Sequence, residues 1–288
     1  MMDINQQISH PLAHLAVGMA ALLLLSAPMA QAQEGVSKPL LIIGASLANG
    51  NSPIDNNLSG PYGGFAVNYG SYLSLGNALI RTDELNGLVI NEAEAGATTF
   101  PRLRCGWYSC LTTGWQGYDV MFQKALSRVT LRDPANPAQI VGYNADYLYI
   151  AIPNDCLHSG AMGVPHTQTA PCTVVEMNDV IDRLEAVANQ ALDIGITPVF
   201  SILPQYHEFD MPLFKQKNGL YWVINEEDFN TYRDLYRNRI HDELPEAIQV
   251  DAWAGFVHLG DGIHPNAETA TRAAKRIAKA IKQHEKGK

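Results

Sequence analysis

The 288-residue sequence has little of three features that often identify a protein class: clustered basic charge, long apolar runs and cysteine. Lysine and arginine total 20 against 29 aspartates and glutamates, for a net charge of −9. No basic stripe stands out, so we expect no nucleic-acid partner. No internal repeat or low-complexity tract is visible either. Hydrophobic residues make up 47% of the chain, which is enough to bury a full core.

The single long apolar run, Leu15–Leu25, is shorter than the roughly 20 residues that span a bilayer. It is followed by Ala30-Gln31-Ala32, which fits an A-x-A cleavage site. No lysine or arginine precedes the run, so positive charge there rests on histidines and the amino terminus. We expect residues 1–32 to be a cleaved signal peptide and residues 33–288 to form a single domain, secreted or periplasmic, without a stable membrane span. The alternatives are an uncleaved anchor or a misplaced translation start.

Cysteine is scarce, but the number of cysteines is even. The four cysteines form two local pairs, Cys105 with Cys110 and Cys156 with Cys172. In an exported chain this predicts two disulfides that staple loops, although four cysteines allow three pairings. The alternative for the second pair is a metal site that adds His158 and His166. Because those spacings match no common zinc pattern, we expect no metal.

Short apolar runs alternate with helical patterns along the rest of the chain. Strands are predicted at Leu40–Ile43, up to Asn91, at Tyr147–Ile152, from Thr197 and around Ile248; helices are predicted at Phe65–Ile80, Asp119–Arg128, Thr173–Ile194, Asn225–Leu244 and Ala267–His284. A long loop is expected from Asn49 to Gly64. The alternation indicates an α/β domain with a parallel sheet covered by helices on both faces.

Polar or glycine-containing segments follow three of these strands. The first strand runs into Ser46, the second into the turn Asn91–Gly96, and the third into Asn154. Open α/β sheets bind ligands just beyond the carboxyl ends of their strands. The sequence therefore predicts that these residues gather at one edge of the sheet.

A serine becomes a nucleophile only when a base and an orienting acceptor accompany it. In "GDGIHPN", Asp261 precedes His264 by three residues, and Pro265 stiffens the chain directly after it. This spacing lets the carboxylate fold back onto the imidazole in a tight turn. We expect Asp261 to orient His264, and His264 to act as the base for Ser46.

Acyl transfer also needs hydrogen-bond donors aimed at the oxyanion that develops. The backbone N–H groups of Ser46 and Gly96 are candidates, because glycine lets the backbone approach a ligand closely. The side-chain amide of Asn154 is a third candidate.

From Leu40 to its C-terminus, the chain resembles the SGNH, or GDSL-like, hydrolases. The four blocks of that family have counterparts in the expected order: Gly44-Ala45-Ser46-Leu47, then Asn91, Gly96 and Thr98, then Pro153-Asn154-Asp155, and finally Asp261 to Asn266. The resemblance implies a flavodoxin-like three-layer α/β/α sandwich with a central parallel sheet. It also implies a catalytic Ser46, His264 and Asp261, an oxyanion hole formed by Ser46, Gly96 and Asn154, and no cofactor.

Two positions depart from the family pattern. Ala45 stands where the first block has an aspartate, and Ile152 where the third block has a glycine, so we expect both to shape the pocket. Cysteine-stapled insertions are expected at about 97–145 and 156–172. The first carries Trp107, Tyr108 and Trp115, which either line the substrate pocket or pack the insertion's own core.

The expected function is that of a serine esterase acting on a small-molecule, glycan or lipid ester. One alternative is a glycan O-acetylesterase or an acyltransferase with the same machinery. Another is a non-catalytic glycan- or surface-binding module with the same fold. The sequence specifies no oligomeric state.

Overall fold

The structure is a computed structural model that describes residues 39–49, 75–82, 85, 88–102, 115–160 and 171–287. Its strands are β1 (Leu40–Ile43), β2 (Val89–Asn91), β3 (Thr130–Arg132), β4 (Ile140–Tyr143), β5 (Tyr147–Ile150), β6 (Thr197–Ser201) and β7 (Ile248–Val250). Its α-helices are α1 (Ser46–Asn49), α2 (Leu75–Ile80), α3 (Tyr118–Val129), α4 (Val174–Asp193), α5 (Met211–Asn218), α6 (Glu226–Glu243) and α7 (Ala267–Gly287). All of the described residues belong to one unit, Ser37–Lys288.

The central sheet has five parallel strands in the order β2-β1-β5-β6-β7. Counting only these strands, the order is 2-1-3-4-5, which is the flavodoxin-like arrangement. Every residue of β1 and β5 is buried, as expected for central strands that are covered on both faces. The predicted parallel sheet is confirmed.

Two groups of helices cover the sheet. On one face α2 packs against α7, and α7 also contacts β6 and β7. On the other face α3 contacts β1 and β2, while α4 packs between α3 and α6 and contacts β6. The result is the predicted three-layer α/β/α sandwich.

Local sequence signals mark the beginning and the end of helix α4. Thr173 and Glu176 form a capping box at the start of α4, and an apolar stripe from Met177 to Ala191 faces the core. Gly195, with φ +79°, follows its end. The helices predicted at Thr173–Ile194, Asn225–Leu244 and Ala267–His284 are confirmed to within a few residues.

Other expectations need adjustment. The strand predicted at Tyr147–Ile152 ends at Ile150, and of the helix predicted at Phe65–Ile80 the described part is α2. Helix α5 was not predicted, and neither was the antiparallel β3–β4 pair in the 97–145 segment. The predicted loop from Asn49 lies almost entirely outside the described residues, and its first residue ends α1. Each helix in the described part of the chain is too short or too polar to span a lipid bilayer.

Candidate active site

Ser46 is held at the carboxyl end of β1 by a close approach between two strands. Gly44 has a φ of +143°, and a Cβ atom there would lie only 2.4 Å from the Cβ of Ala151. Only glycine therefore lets the chain turn out of the sheet at this point. Ser46 begins the single turn α1, where the carbonyl of Ala45 accepts hydrogen bonds from two later backbone amides.

The serine lies at the topological switch point of the sheet. β1 pairs with β2 on one side and with β5 on the other. The segments that follow these strands carry Ser46, Gly96 and Asn154, as the sequence predicted. In open α/β sheets, the crevice at such a point is where ligands bind.

Ser46, His264 and Asp261 form a hydrogen-bonded row. His264 Nε2 lies 2.7 Å from Ser46 Oγ, and His264 Nδ1 lies 2.5 Å from Asp261 Oδ2. All three residues are buried, with at most 6% of their surface exposed. Because a carboxylate only accepts hydrogen bonds, Nδ1 carries the proton and Nε2 presents its lone pair to the serine hydroxyl.

The tight turn from Asp261 to His264 is closed by its own backbone. Asp261 Oδ1 accepts hydrogen bonds from the backbone N–H groups of Ile263, at 3.2 Å, and His264, at 3.0 Å. Burial raises the pKa of Asp261, but its contacts with His264 and Ile263 outweigh this and hold the pKa below its usual value. The carboxylate therefore stays charged next to the imidazole at neutral pH.

Gly262 lets this turn pack against the start of α5. It has a φ of +106°, and a Cβ atom there would lie 2.4 Å from the carbonyl oxygen of Asp210. Its own carbonyl accepts a hydrogen bond of 2.8 Å from the Asp210 N–H, and Phe214 places its ring edge-on to His264. The unpredicted helix α5 thus supports the histidine.

His258 supports the same turn from its other side. Its Nδ1 accepts hydrogen bonds from the backbone N–H groups of Gly260, at 3.0 Å, and Gly262, at 3.3 Å. The Leu259 N–H also donates to the carbonyl of His264, at 2.8 Å. Nothing in the sequence singled out His258, because its role depends on how the turn folds back.

The turn that contains Gly96 is braced by two side chains. Trp115 donates from Nε1 to the carbonyl of Ala95, at 2.7 Å, and its ring lies against Gly96, where a Cβ atom would be 3.0 Å away. Arg102 donates to the carbonyl of Gly96, and its guanidinium lies 4.0 Å from the centre of the Trp115 ring. Gly96 has a φ of +81°, which suits glycine.

Asn154 lies beside this turn. Its side chain is 3% exposed, and Nδ2 is 3.4 Å from the carbonyl of Ala97. Its buried Oδ1 has no hydrogen-bond partner within the described part of the chain. The next residue, Asp155, accepts hydrogen bonds from the backbone and hydroxyl of Thr99, which ties the two segments together.

Two asparagines hold the turn that contains Ala45 and Ser46. Asn91 donates to the carbonyl of Ala48, at 2.9 Å, and accepts from the Ala93 N–H, at 3.0 Å. Asn49 donates to the carbonyl of Ala93, at 2.5 Å. These bonds connect α1 with the segment after β2.

The other residues that the sequence singled out are buried, form a disulfide or lie outside the described residues. Ala45 is fully buried and Ile152 is 3% exposed, so their place in a substrate pocket stays a prediction. Cys156 and Cys172 form a disulfide, which leaves neither sulfur as a thiolate ligand for a metal. Cys105, Trp107, Tyr108, Cys110 and His166 lie outside the described residues. Among the residues that the structure describes, no group of three or more potential ligands could hold a metal ion.

No protein-family model and no curated protein sequence matches the chain. Among solved structures it is similar to Est24, a carbohydrate acetylesterase from Sinorhizobium meliloti, with 17% identity, 86% of this chain and 99% of that chain covered, and a TM-score of 0.52. Axe2, an acetylxylan esterase from Geobacillus stearothermophilus, matches with 14% identity over 86% of this chain and 95% of that one, at a TM-score of 0.44. A GDSL-like lipase from Bacteroides thetaiotaomicron matches with 12% identity, covers 86% of this chain and 89% of that chain, and has a TM-score of 0.45.

The likeness to Est24 concerns the fold. The chain has the SGNH hydrolase fold, a three-layer α/β/α sandwich around a parallel sheet. Within that fold, a buried serine hydroxyl meets an imidazole that is itself oriented by a carboxylate. Such an arrangement can remove the proton of the hydroxyl as its oxygen attacks a carbonyl carbon.

Proposed function

We propose that this chain is an exported serine esterase that cleaves carboxylic esters through an acyl-enzyme intermediate. The observation that carries the proposal is the buried row in which His264 lies 2.7 Å from Ser46 Oγ and 2.5 Å from Asp261 Oδ2. A hydrogen-bonded nucleophile, base and orienting acid define acyl-transfer sites on several unrelated folds.

In the first half of the reaction, Ser46 Oγ attacks the ester carbonyl carbon while its proton moves to His264 Nε2. Asp261 stabilises the imidazolium that forms and keeps Nδ1 protonated. The imidazolium then donates its proton to the leaving alcohol, and Ser46 retains the acyl group. Water repeats the sequence on the acyl-enzyme and releases the acid.

The negative charge on the carbonyl oxygen needs donors that are already in place. We assign these to the backbone N–H groups of Ser46 and Gly96 and to Asn154 Nδ2. Support comes from the bracing of Gly96 by Trp115 and Arg102, which fixes the direction of its backbone before substrate arrives. Asp155 gives Asn154 similar support, through its bonds to Thr99.

Esters of carbohydrates are a second candidate substrate class within the same reaction. Est24, whose fold this chain shares, is described as a carbohydrate acetylesterase. In this chain Trp115 is partly exposed and lies beside Gly96, and we propose that its indole ring contacts the sugar. The Cys156–Cys172 disulfide and the signal-like residues 1–32 support export, because disulfides persist in oxidising compartments.

The test is an ester panel with the mature protein: p-nitrophenyl acetate, p-nitrophenyl butyrate and an O-acetylated glycan. We expect turnover of at least one of them, and loss of that turnover in Ser46→Ala with an unchanged circular dichroism spectrum. Ser127→Ala, an exposed serine on α3, is the matched control and should retain activity. Full activity of folded Ser46→Ala would contradict the proposal. A preference for acetylated glycans over simple acyl esters would select the carbohydrate class.

A further inference from the structure

Two polar side chains near the candidate active site each have one buried nitrogen without a hydrogen-bond partner among the described residues. One is the guanidinium of Arg102, whose Nε is buried without a hydrogen-bond partner within the described ranges. The other is His158, whose Nδ1 is also buried without one. Such groups are few in native proteins and carry a desolvation cost.

Arg102 has no carboxylate within ion-pairing distance among the described residues. Its nitrogen Nη2 donates to the carbonyl of Gly96, and its planar face lies over Trp115. The nearest buried acid, Asp155, is engaged by Thr99 and, at 3.8 Å, by Arg183. Burial lowers the pKa of Arg102 to about 10, with Asp155 opposing this only in part. Arg102 is therefore still a cation at neutral pH.

His158 shares the neighbour Phe214 with His264. Its ring packs edge-on against Phe214, 5.1 Å between centres, and Phe214 also contacts the His264 ring, at 6.2 Å. Burial, aided by the charges of Arg102 and His264, lowers the pKa of His158 to about 3. His158 is thus neutral at physiological pH, with one N–H to donate and one lone pair to accept.

We propose that Arg102 and His158 form a subsite for a carboxylate group on the ester substrate, next to the oxyanion turn. This inference rests on the proposed function and names its substrate class, which is an ester that carries a carboxylate near the scissile bond. A carboxylate would complete the free Nε–H of Arg102 in a charge-assisted hydrogen bond, and the neutral imidazole would donate a second. Among the described residues this subsite supplies one cation, Arg102, which suits a monoanion, whereas phosphate and other doubly charged groups usually meet several donors or cations.

The carboxylate can lie on either side of the scissile bond. An acetylated uronic acid carries it on the alcohol side, and a dicarboxylic acid monoester carries it on the acyl side. The chemistry at Arg102 is the same in both cases, so the two sources are separated by experiment.

The alcohol side is tested by inhibition of p-nitrophenyl acetate hydrolysis with D-galacturonate and D-galactose, which differ only in a carboxylate against a hydroxymethyl group. The acyl side is tested by comparing kcat/KM for monomethyl glutarate with that for methyl pentanoate. We expect a preference for the carboxylate of about tenfold or more on one side, since a hydrogen bond to a charged group is worth that much when it is buried.

Variants separate recognition from bracing. Arg102→Gln removes the positive charge and also the hydrogen bond that braces Gly96. Because loss of the brace would affect neutral and anionic compounds alike, the ratio of activity or inhibition between the anionic and the neutral compound reports only recognition of the carboxylate. We expect the ratio to approach one in Arg102→Gln and to be retained in part in Arg102→Lys. Arg132→Gln, an exposed arginine on β3, is the matched control and should keep the wild-type ratio.

Equal treatment of neutral and anionic compounds on both sides of the bond in the wild type would overturn the subsite, even if every Arg102 variant fails to fold. An undiminished preference in folded Arg102→Gln would overturn it too. If no ester is turned over by the wild type, the proposed function fails instead. In that case, calorimetric titration of galacturonate against galactose still decides whether the subsite binds a carboxylate.

Discussion

The fully buried carboxylate of Asp155 accepts a hydrogen bond of 2.9 Å from the Thr99 backbone N–H and one of 2.6 Å from the Thr99 hydroxyl. These two residues are 56 positions apart in the chain and join the segment after β5 to the segment after β2. Burial raises the pKa of Asp155, although its bonds to Thr99 and the nearby Arg183 oppose the shift. Asp155 and Thr99 thus join the chain segments that carry Asn154 and Gly96.

Asp155→Ala should therefore weaken both stability and activity. The buried Thr99 donors lose their acceptor, so we expect the free energy of unfolding to fall by about 3 kcal/mol. Chemical denaturation measures this change, and kcat measured well below the unfolding midpoint should also fall. Asp193→Ala, at an exposed site at the end of α4, should change stability by less than about 0.5 kcal/mol. If Asp155→Ala has the stability of the wild type, the hydrogen bonds between Asp155 and Thr99 do not stabilise the fold.

Asn154→Ala tests the amide as an oxyanion donor. Because the donor matters most when charge develops, we expect kcat to fall by roughly 10²–10³ while KM changes little. Asn136→Ala, at an exposed position in the β3–β4 connection, is the matched control. A loss of less than about threefold would remove Asn154 from this role.

His258 should act as a positioning residue through its Nδ1 acceptor. His258→Ala removes the acceptor for two backbone amides of the Gly260–Gly262 turn, and we expect kcat to fall by roughly ten- to a hundredfold as His264 shifts. His258→Asn places a carbonyl oxygen near the same position and should recover most of that loss. Equal kcat values for the alanine and asparagine variants would indicate that the acceptor atom is unimportant.

His158 should make stability depend on pH. Its pKa is about 3 in the folded protein, against about 6.5 for an unfolded histidine, so the unfolded state binds more protons between these values. Stability from this group is complete above pH 6.5 and is lost as the pH falls.

The comparison is between wild type and His158→Gln, in urea melts at pH 7.5 and pH 5. We expect the wild type to lose up to about 2 kcal/mol more than the variant between these two pH values. His241→Gln, an exposed histidine in α6, should show no such difference from the wild type. Parallel pH dependence in wild type and His158→Gln would mean that His158 is not buried as described.

Much of the fold could be predicted because its local signals are strong. Buried parallel strands appear as continuous apolar runs, as in Leu40–Ile43, and α4 carries both a capping box and an apolar stripe. The strand ends then place Ser46, Gly96 and Asn154 near one another through topology alone. The spacing of Asp261 and His264 predicts their contact, because the turn that joins them is local.

Contacts between distant segments could not be predicted from local patterns. Helix α5 has only eight residues with Pro212 near its start, and its signals were the flanking Asp210 cap and Gly219. The hydrogen bonds of His258 depend on the path of the folded turn, and those between Asp155 and Thr99 on the packing of two loops. Arg102 and His158 gain significance only because one nitrogen of each is buried without a hydrogen-bond partner among the described residues.

We propose that Ser46 is a nucleophile that His264 activates. Labelling of the folded protein with a fluorophosphonate probe, followed by intact-mass analysis and peptide mapping, tests this role. We expect one adduct per chain on Ser46, none in Ser46→Ala, and a normal adduct in Ser127→Ala. An adduct on another residue, or no serine-dependent adduct in the folded wild type, would show that Ser46 is not the nucleophile.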